Sequence, residues 1–286
     1  MPDPPTLYGR WDLTVGEQGE SFPSWLELTP QGGRFVGQVG SARPLAKIEI
    51  KGQSLLFQLP PQYEQRKDDL VFQGTLEANT LKGTTTLEKG QVVPWQAIRA
   101  PDLPAQQPTW AEPIQLIEQT LANWRPRSPQ ASNNWSIEKG MLVNVAHGSD
   151  LVSKQAFKDF RLIAEYSYPE KSNSGIYLRG RYEFQIVDDY ESGNAGTGNS
   201  GAIYGFIAPS KNAILPPGEW NHVETTLLGR FVTVTLNGHR IIDAQEIPGI
   251  TGGALDSDES APGPIFLQGD HGPVTFRRLT LTPNKQ

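Results

Sequence analysis

Asn173-Ser174-Gly175-Ile176-Tyr177-Leu178-Arg179-Gly180-Arg181-Tyr182-Glu183-Phe184-Gln185-Ile186-Val187-Asp188 reads as two strands around a turn, and the length of that turn decides which side chains share a face. Apolar and polar residues alternate with the period of a half-buried strand. If Gly180-Arg181 alone turned the chain, Leu178 would face Glu183, Ile176 would face Gln185, and both faces would mix. A three-residue loop from Gly180 to Tyr182 removes the conflict. Ile176, Leu178, Phe184 and Ile186 then share one face, while Tyr177, Arg179, Glu183 and Gln185 share the other, with Arg179 opposite Glu183. The second register is expected, because one face has to be buried.

The same period dominates the chain on both sides. Downstream of Trp135, strand patterns fall at 141–146, 160–168, 174–179, 183–188, 202–208, 219–228, 230–237, 239–244, 263–268 and 273–282. Asn237-Gly238 is a two-residue hairpin signal. Upstream, patterns at 7–15, 24–29, 34–39, 44–50, 54–59, 69–77, 80–87 and 92–99 are joined mainly by short turns. Eight such strands suit an up-and-down barrel or small sandwich. Pro101, Pro104, Pro108 and Pro113 interrupt any ladder between the two parts. Glu112–Trp124 is the one helix expected, with Ile114, Ile117, Leu121 and Trp124 at helical spacing. The fold class is therefore all-β, with a small N-terminal antiparallel barrel or sandwich (1–100), a Pro-rich linker (101–113) and a two-sheet β-sandwich or jelly roll (114–286).

Composition narrows the function. The 286 residues contain no cysteine, which excludes disulfides, thiolate catalysis and iron–sulfur ligation. The net charge of −6 comes without any basic stripe, so a nucleic-acid partner is not expected. No apolar run approaches the ~20 residues of a membrane helix. There is no Walker loop, no nucleophile elbow, no His-Glu-x-x-His and no dinucleotide fingerprint, so no nucleotide, flavin or haem is expected. Met1–Pro5 has neither the charged nor the apolar part of a leader. Two locations stay open: the cytoplasm, or the periplasm or cell exterior after removal of a leader, which is the expectation adopted.

The polar face of the Asn173–Asp188 hairpin has two readings. One is a solvated surface with a cross-strand Arg179–Glu183 pair worth ~0.2–1 kcal/mol. The other is the floor of a sugar site, since Arg, Glu and Gln suit hydroxyls and an aromatic ring suits sugar C–H patches. Of the four histidines, His239 follows the hairpin turn and His222 alternates on a strand. His147 lies in a loop, and His271 stands beside Asp270 in Gln268-Gly269-Asp270-His271-Gly272, where the carboxylate could orient its imidazole. Asp256-Ser257-Asp258-Glu259 and Asp188-Asp189 carry acidic residues without the glycine and distal glutamate of an EF-hand loop.

Ordered matches through Trp135-Ser136-Ile137-Glu138-Lys139-Gly140, Phe157-Lys158-Asp159-Phe160, Asn173-Ser174-Gly175-Ile176, Tyr182-Glu183-Phe184-Gln185-Ile186, Glu219-Trp220-Asn221, Leu236-Asn237-Gly238, Leu267-Gln268 and Val274-Thr275-Phe276-Arg277 give the C-terminal part its identity. It resembles the 3-keto-disaccharide hydrolase family, whose sandwich is concanavalin A-like (lectin/glucanase). Leu116–Leu121 reads Leu-Ile-Glu-Gln-Thr-Leu where that family opens with a Phe-Asn-Gly-Lys-Asp-Leu-like segment, and Arg278 stands where asparagine is common. The first domain resembles the small β-domain that precedes this sandwich in some relatives, through Gly9-Arg10-Trp11-Asp12 and Ser24-Trp25-Leu26-Glu27.

The resemblance implies a hydrolase or lyase acting on 3-keto-glycosides. A ketone at C3 acidifies the C2 proton, a base removes it, the aglycone leaves C1, and water adds back. Within that chemistry Glu183 is expected as base or metal ligand, Arg179 as stabiliser of enolate charge, and His271 as second acid/base or ligand. Tyr177, Gln185 and Tyr204 would position the sugar. A divalent metal of unspecified identity is compatible with such a site. Two rivals remain. A laminarinase-type glucanase would need Glu-x-Asp-x-x-Glu, but Glu183-Phe184-Gln185-Ile186-Val187-Asp188 replaces two of the three carboxylates. A non-catalytic carbohydrate-binding or interaction module would need the polar face and no base.

Overall fold

Nine strands of the N-terminal part follow one another as a meander: β1 (Gly9–Val15), β2 (Phe22–Thr29), β3 (Gly32–Val36), β4 (Arg43–Pro44), β5 (Lys47–Lys51), β6 (Ser54–Leu59), β7 (Leu70–Glu77), β8 (Thr80–Thr86) and β9 (Val92–Arg99). The computed structural model describes residues 6–285, so the Met1–Pro5 stretch read above for a leader lies outside the described residues. β1 pairs with both β2 and β9, and β4 and β5 occupy the two ends of the sheet. Only Leu45 and Ala46 separate those ends. Leu45 N–H donates to Gly33 on β3 and Ala46 N–H to Gln58 on β6, so the sheet closes into a barrel. That crossing, from one end of the single sheet to the other, answers the choice between barrel and sandwich in favour of the barrel.

Period-two alternation fills the barrel. Trp11, Leu13 and Val15, Leu26 and Leu28, Leu55, Phe57 and Leu59, and Trp95 and Ala97 all turn inward and are buried. Phe57 and Phe72 stack at 4.7 Å between ring centroids, and Phe35 lies 4.9 Å from Phe72. Each such ring contributes roughly 1.5–3 kcal/mol by leaving water. Gly74 makes room for the largest ring, since a Cβ there would stand 2.6 Å from Trp95. Residues 248–260, assigned above to the second domain, group with this unit instead. Gly249 lies against the buried Trp25 ring, and Gly253 N–H donates to Gln38.

The second unit comprises 103–247 and 261–286. Its strands are β10 (Ile114–Gln115), β11 (Trp124–Pro126), β12 (Trp135–Glu138), β13 (Met141–Asn144), β14 (Leu151–Phe157), β15 (Phe160–Ser167), β16 (Asn173–Leu178), β17 (Tyr182–Val187), β18 (Asn221–Leu228), β19 (Phe231–Leu236), β20 (His239–Glu246), β21 (Gly263–Leu267) and β22 (Val274–Pro283). One sheet runs β12-β13-β22-β15-β18-β19-β20 with β10 on β22, and the other runs β11-β14-β21-β16-β17. Their inner faces meet in a sandwich core where Tyr166 of the large sheet packs edge-on against Phe184 of the small one, 6.4 Å apart. The Asn237-Gly238 turn has positive φ at both residues, as that hairpin type requires. Among the described residues no helix is long and apolar enough to cross a membrane.

Two local expectations, a helix over 112–124 and a strand over 202–208, fail for identifiable reasons. No helix forms over 112–124: Ile114 and Gln115 pair with β22, Leu116 N–H donates to Leu279, and Trp124 opens β11. Pairing with an exposed ladder outweighs a weak helical propensity. The proline-rich segment is anchored near both ends, where Leu103 O accepts from Arg230 N–H and Ala111 N–H donates to Pro283. The 202–208 run is a folded-back loop with isolated bridges from Ile203 to Phe184 and Ile207. Conversely β14 escaped the pattern because a register shift between Val152 and Ala156 breaks its alternation.

Candidate functional site

The decisive hairpin is β16–β17, and its loop is three residues long, but it is Arg179-Gly180-Arg181. Leu178 pairs with Tyr182, Tyr177 with Glu183, Ile176 with Phe184 and Gly175 with Gln185. The division of faces holds, while the expected Arg179–Glu183 opposition does not. Arg179 sits in the turn at φ +54°, fully buried. Its Nη2 donates to Gly229 O, and its guanidinium lies 5.1 Å from the Tyr182 ring. The turn thus withdraws Arg179 from Glu183.

The polar face carries Gly175 and Tyr177 on β16, Glu183 and Gln185 on β17, and Phe266 on β21, opposite Tyr177. Tyr177 and Phe266 stack with centroids 4.1 Å apart. The Tyr177 hydroxyl donates to Glu183 Oε2 at 2.9 Å. Glu183 folds over Gly175, where any Cβ would lie 2.4 Å from its Oε1. Burial pushes the Glu183 carboxyl up to about 8, against the hydrogen bond from Tyr177 and the nearby charge of His271. Burial and the Glu183 charge hold the Tyr177 hydroxyl well above the tyrosine range, so it stays a donor.

A loop from β21 completes the cluster. His271 Nδ1 and Asp270 Oδ1 are 2.5 Å apart. That hydrogen bond is the main cause of a raised imidazole pKa, with burial opposing and the charges of Asp270, Glu183 and Asp150 assisting. Burial works to raise Asp270, but its pairing with His271 holds it below the usual carboxylate range. Asp150 fixes the loop from beneath: its Oδ1 accepts from Gly269 N–H at 2.9 Å and Asp270 N–H at 3.3 Å. Its Oδ2 meets Arg127 Nη1 at 3.3 Å. Burial first, and the charge of Asp270 second, raise the Asp150 pKa. Arg127 also lies 5.2 Å from the Phe266 ring.

Glu183, Tyr177 and His271 are therefore brought into one electrostatic cluster, with Gln185 on the same face. Tyr204 approaches through its backbone, donating N–H to Glu183 O at 2.9 Å. Arg127, Asp150 and Phe266 escaped the sequence reading. Arg127 and Asp150 belong to segments with no strand-like pattern, and Phe266 reads as an ordinary core residue. Asp189 is structural: it accepts from Asn199, Ser200 and Asn212. Asp188 accepts from Lys171 N–H, and Asp256 from Asp258 N–H. His222 pairs with Glu165 and Glu224 at the surface, and His239 is exposed. Among the described residues no three His, Asp or Glu side chains form a group able to hold a metal ion.

The signature described as a 3-keto-alpha-glucoside-1,2-lyase-like domain matches residues 112–282. A candidate glycosyl hydrolase of Parabacteroides distasonis is 27% identical, with a TM-score of 0.51 over 59% of this chain and 82% of that one. A second from the same organism, 18% identical, also has a TM-score of 0.51, over 60% of this chain and 94% of that one, and shows the fold alone. A comparison with curated proteins gives no match.

Proposed function

The chain belongs to the 3-keto-alpha-glucoside-1,2-lyase-like family, and from that carbohydrate-active premise we propose that it cleaves 3-keto-glycosides or 3-keto-disaccharides by elimination and hydration. The observation that supports this most is the carboxyl of Glu183, buried and held near pKa 8 beside a protonatable His271. A C2 proton acidified by the C3 ketone is taken more readily by a stronger base, and Glu183 once ionised is a stronger base than an ordinary carboxylate.

In the proposed sequence the Glu183 carboxylate takes the C2 proton, and the electron pair passes into the enolate of the C3 ketone. The enolate then expels the C1 substituent, whose oxygen takes a proton from the His271 imidazolium. Water adds back across C1 and C2: its hydroxyl goes to C1, its proton goes to the His271 imidazole, and Glu183 returns its own proton to C2. Asp270 keeps His271 protonated. Arg127 replaces Arg179 as the cation acting on this face. Tyr177 orients the Glu183 carboxyl, and Gln185 and Tyr204 position the sugar. No step passes through a metal.

Glu183→Gln keeps the size and removes the charge. Turnover of 3-keto-trehalose or a 3-keto-glucoside should fall ~10²–10⁴-fold, with or without chelator. Wild-type turnover in the variant would remove Glu183 from the mechanism. A wild-type protein that binds sugar without cleaving any 3-keto substrate would be a carbohydrate-binding module.

A further inference from the structure

At the end of the barrel where β6 leads to β7 and β8 to β9, the core stops short of the rim. A cavity of about 390 Å³ opens there, within the ~300–1,000 Å³ of small-molecule sites, which favour barrel mouths. Its walls include Phe22 and Leu87, both half-buried, and its floor is the Phe35 and Phe72 rings of the core. Two side chains of opposite charge, Arg66 and Glu88, line the same cavity. The loops that carry them are stitched together: Arg66 Nη1 donates to Thr86 O at 2.8 Å, and Glu88 Oε1 accepts from Gln65 N–H at 2.8 Å. Arg66 Nε and Nη2 donate to Asp68 O at 2.9 Å and Asp69 O at 3.2 Å, which leaves two of the five guanidinium N–H groups for a ligand. Backbone groups thus hold both charges in place. Among the described residues the two do not pair with each other, and neither has another ion-pair partner. Glu64, the other carboxylate of the rim, is already paired with Arg43.

We propose that the barrel mouth binds a free aromatic α-amino acid, with its ring among the phenylalanines, its carboxylate on Arg66 and its ammonium on Glu88. A fixed cation and a fixed anion that share a rim without neutralising each other match a ligand carrying both charges on a single carbon. A simple carboxylate or a simple amine would satisfy one of them and bring its own charge up against the other. The rings of Phe22, Phe35 and Phe72 favour edge and face contacts with an aromatic group, whose removal from water supplies most of the affinity. A pyranoside would instead set hydroxyls against apolar walls. The site is built only from barrel residues, and the inference does not depend on the reaction proposed for Glu183.

The test is calorimetric titration of the full chain with L-phenylalanine, 3-phenylpropionate (no ammonium), phenethylamine (no carboxylate) and L-alanine (no ring), repeated with Glu88→Gln and Arg66→Gln. The expected result is saturable binding of L-phenylalanine, no binding of L-alanine, and affinities at least about tenfold lower for the two singly charged analogues. Glu88→Gln can still accept from Gln65 N–H. It should weaken L-phenylalanine roughly five- to tenfold and leave 3-phenylpropionate bound as tightly as before or more so. Arg66→Gln should weaken L-phenylalanine and spare phenethylamine. Because Arg66 also ties down its loop, thermal unfolding accompanies that variant, and Glu88→Gln alone decides the matter if its Tm falls. No L-phenylalanine binding by the wild type, or equal affinity for L-phenylalanine and 3-phenylpropionate, would overturn the proposal. So would unchanged L-phenylalanine affinity in Glu88→Gln, or an equal loss of both ligands there, which would make Glu88 a support for the loop.

Discussion

Tyr177 and Glu183 face each other across the β16–β17 hairpin and share a 2.9 Å hydrogen bond from phenol to carboxyl. The bond favours the ionised carboxylate and so works against the burial that raises its pKa. Tyr177→Phe should move the Glu183 titration upward from about 8, seen as a shift in the carboxyl ¹³C titration and in the pH profile of kcat/KM. The stability loss should be about 1–2 kcal/mol. An unmoved titration would mean that the hydroxyl does not act on the carboxyl.

Glu183 also makes stability depend on pH. Below its ordinary 4.5 both the folded and unfolded chains carry the proton, and its contribution is fully present. Between 4.5 and about 8 the unfolded chain releases the proton while the folded one keeps it, so stability falls across that window and levels off above it. Glu183→Gln should abolish this component and exceed wild type above pH 8 by up to about 5 kcal/mol, measured by urea unfolding against pH. Parallel curves for the two proteins would contradict the raised carboxyl.

Asp150 holds two backbone N–H groups and Arg127 at once. Asp150→Ala should cost about 2–3 kcal/mol, because hydrogen bonds to a buried carboxylate are lost together. Hydrogen exchange should quicken at Gly269 and Asp270, and the His271 titration should fall as the loop loosens and a negative charge disappears. Unchanged exchange at those amides would show that the loop is held by other contacts.

Glu64 tests the opposite sign, in the barrel. Its two carboxylate oxygens pair with the two terminal nitrogens of Arg43. Burial works to raise its pKa, but the Arg43 hydrogen bond and those from the backbone lower it to about 2. The stabilisation is present above 4.5 and is lost as the pH falls toward about 2. Glu64→Gln should cost about 1 kcal/mol at pH 7, a small figure because water screens a half-exposed carboxylate, and nothing near pH 2. A cost that persists at pH 2 would point to packing rather than charge.

The β-class, both sheet-rich units and the polar face of β16–β17 were legible because a strand hides one side, and a period of two writes that side into the sequence. Tyr177, Glu183 and Gln185 could be placed on one face for that reason, and Asn237-Gly238 could be placed in its turn. The register slipped by one position per strand, since moving the loop from Gly180–Tyr182 to Arg179–Arg181 leaves every strand residue on its original face. Periodicity is blind to such a shift, and it took Arg179 out of the site.

What the sequence determined by itself is the alternation and the turn chemistry. Only the tertiary structure decided that Arg127 and Asp150 stand under His271, that Phe266 stacks on Tyr177, and that 248–260 groups with the barrel. The same holds for the pKa of Glu183, since burial depends on everything packed around a carboxyl and nothing local encodes it. Periodicity reports which way a side chain points from its own strand; which distant groups meet it there is set by how separate strands pair, over sequence separations no local pattern spans.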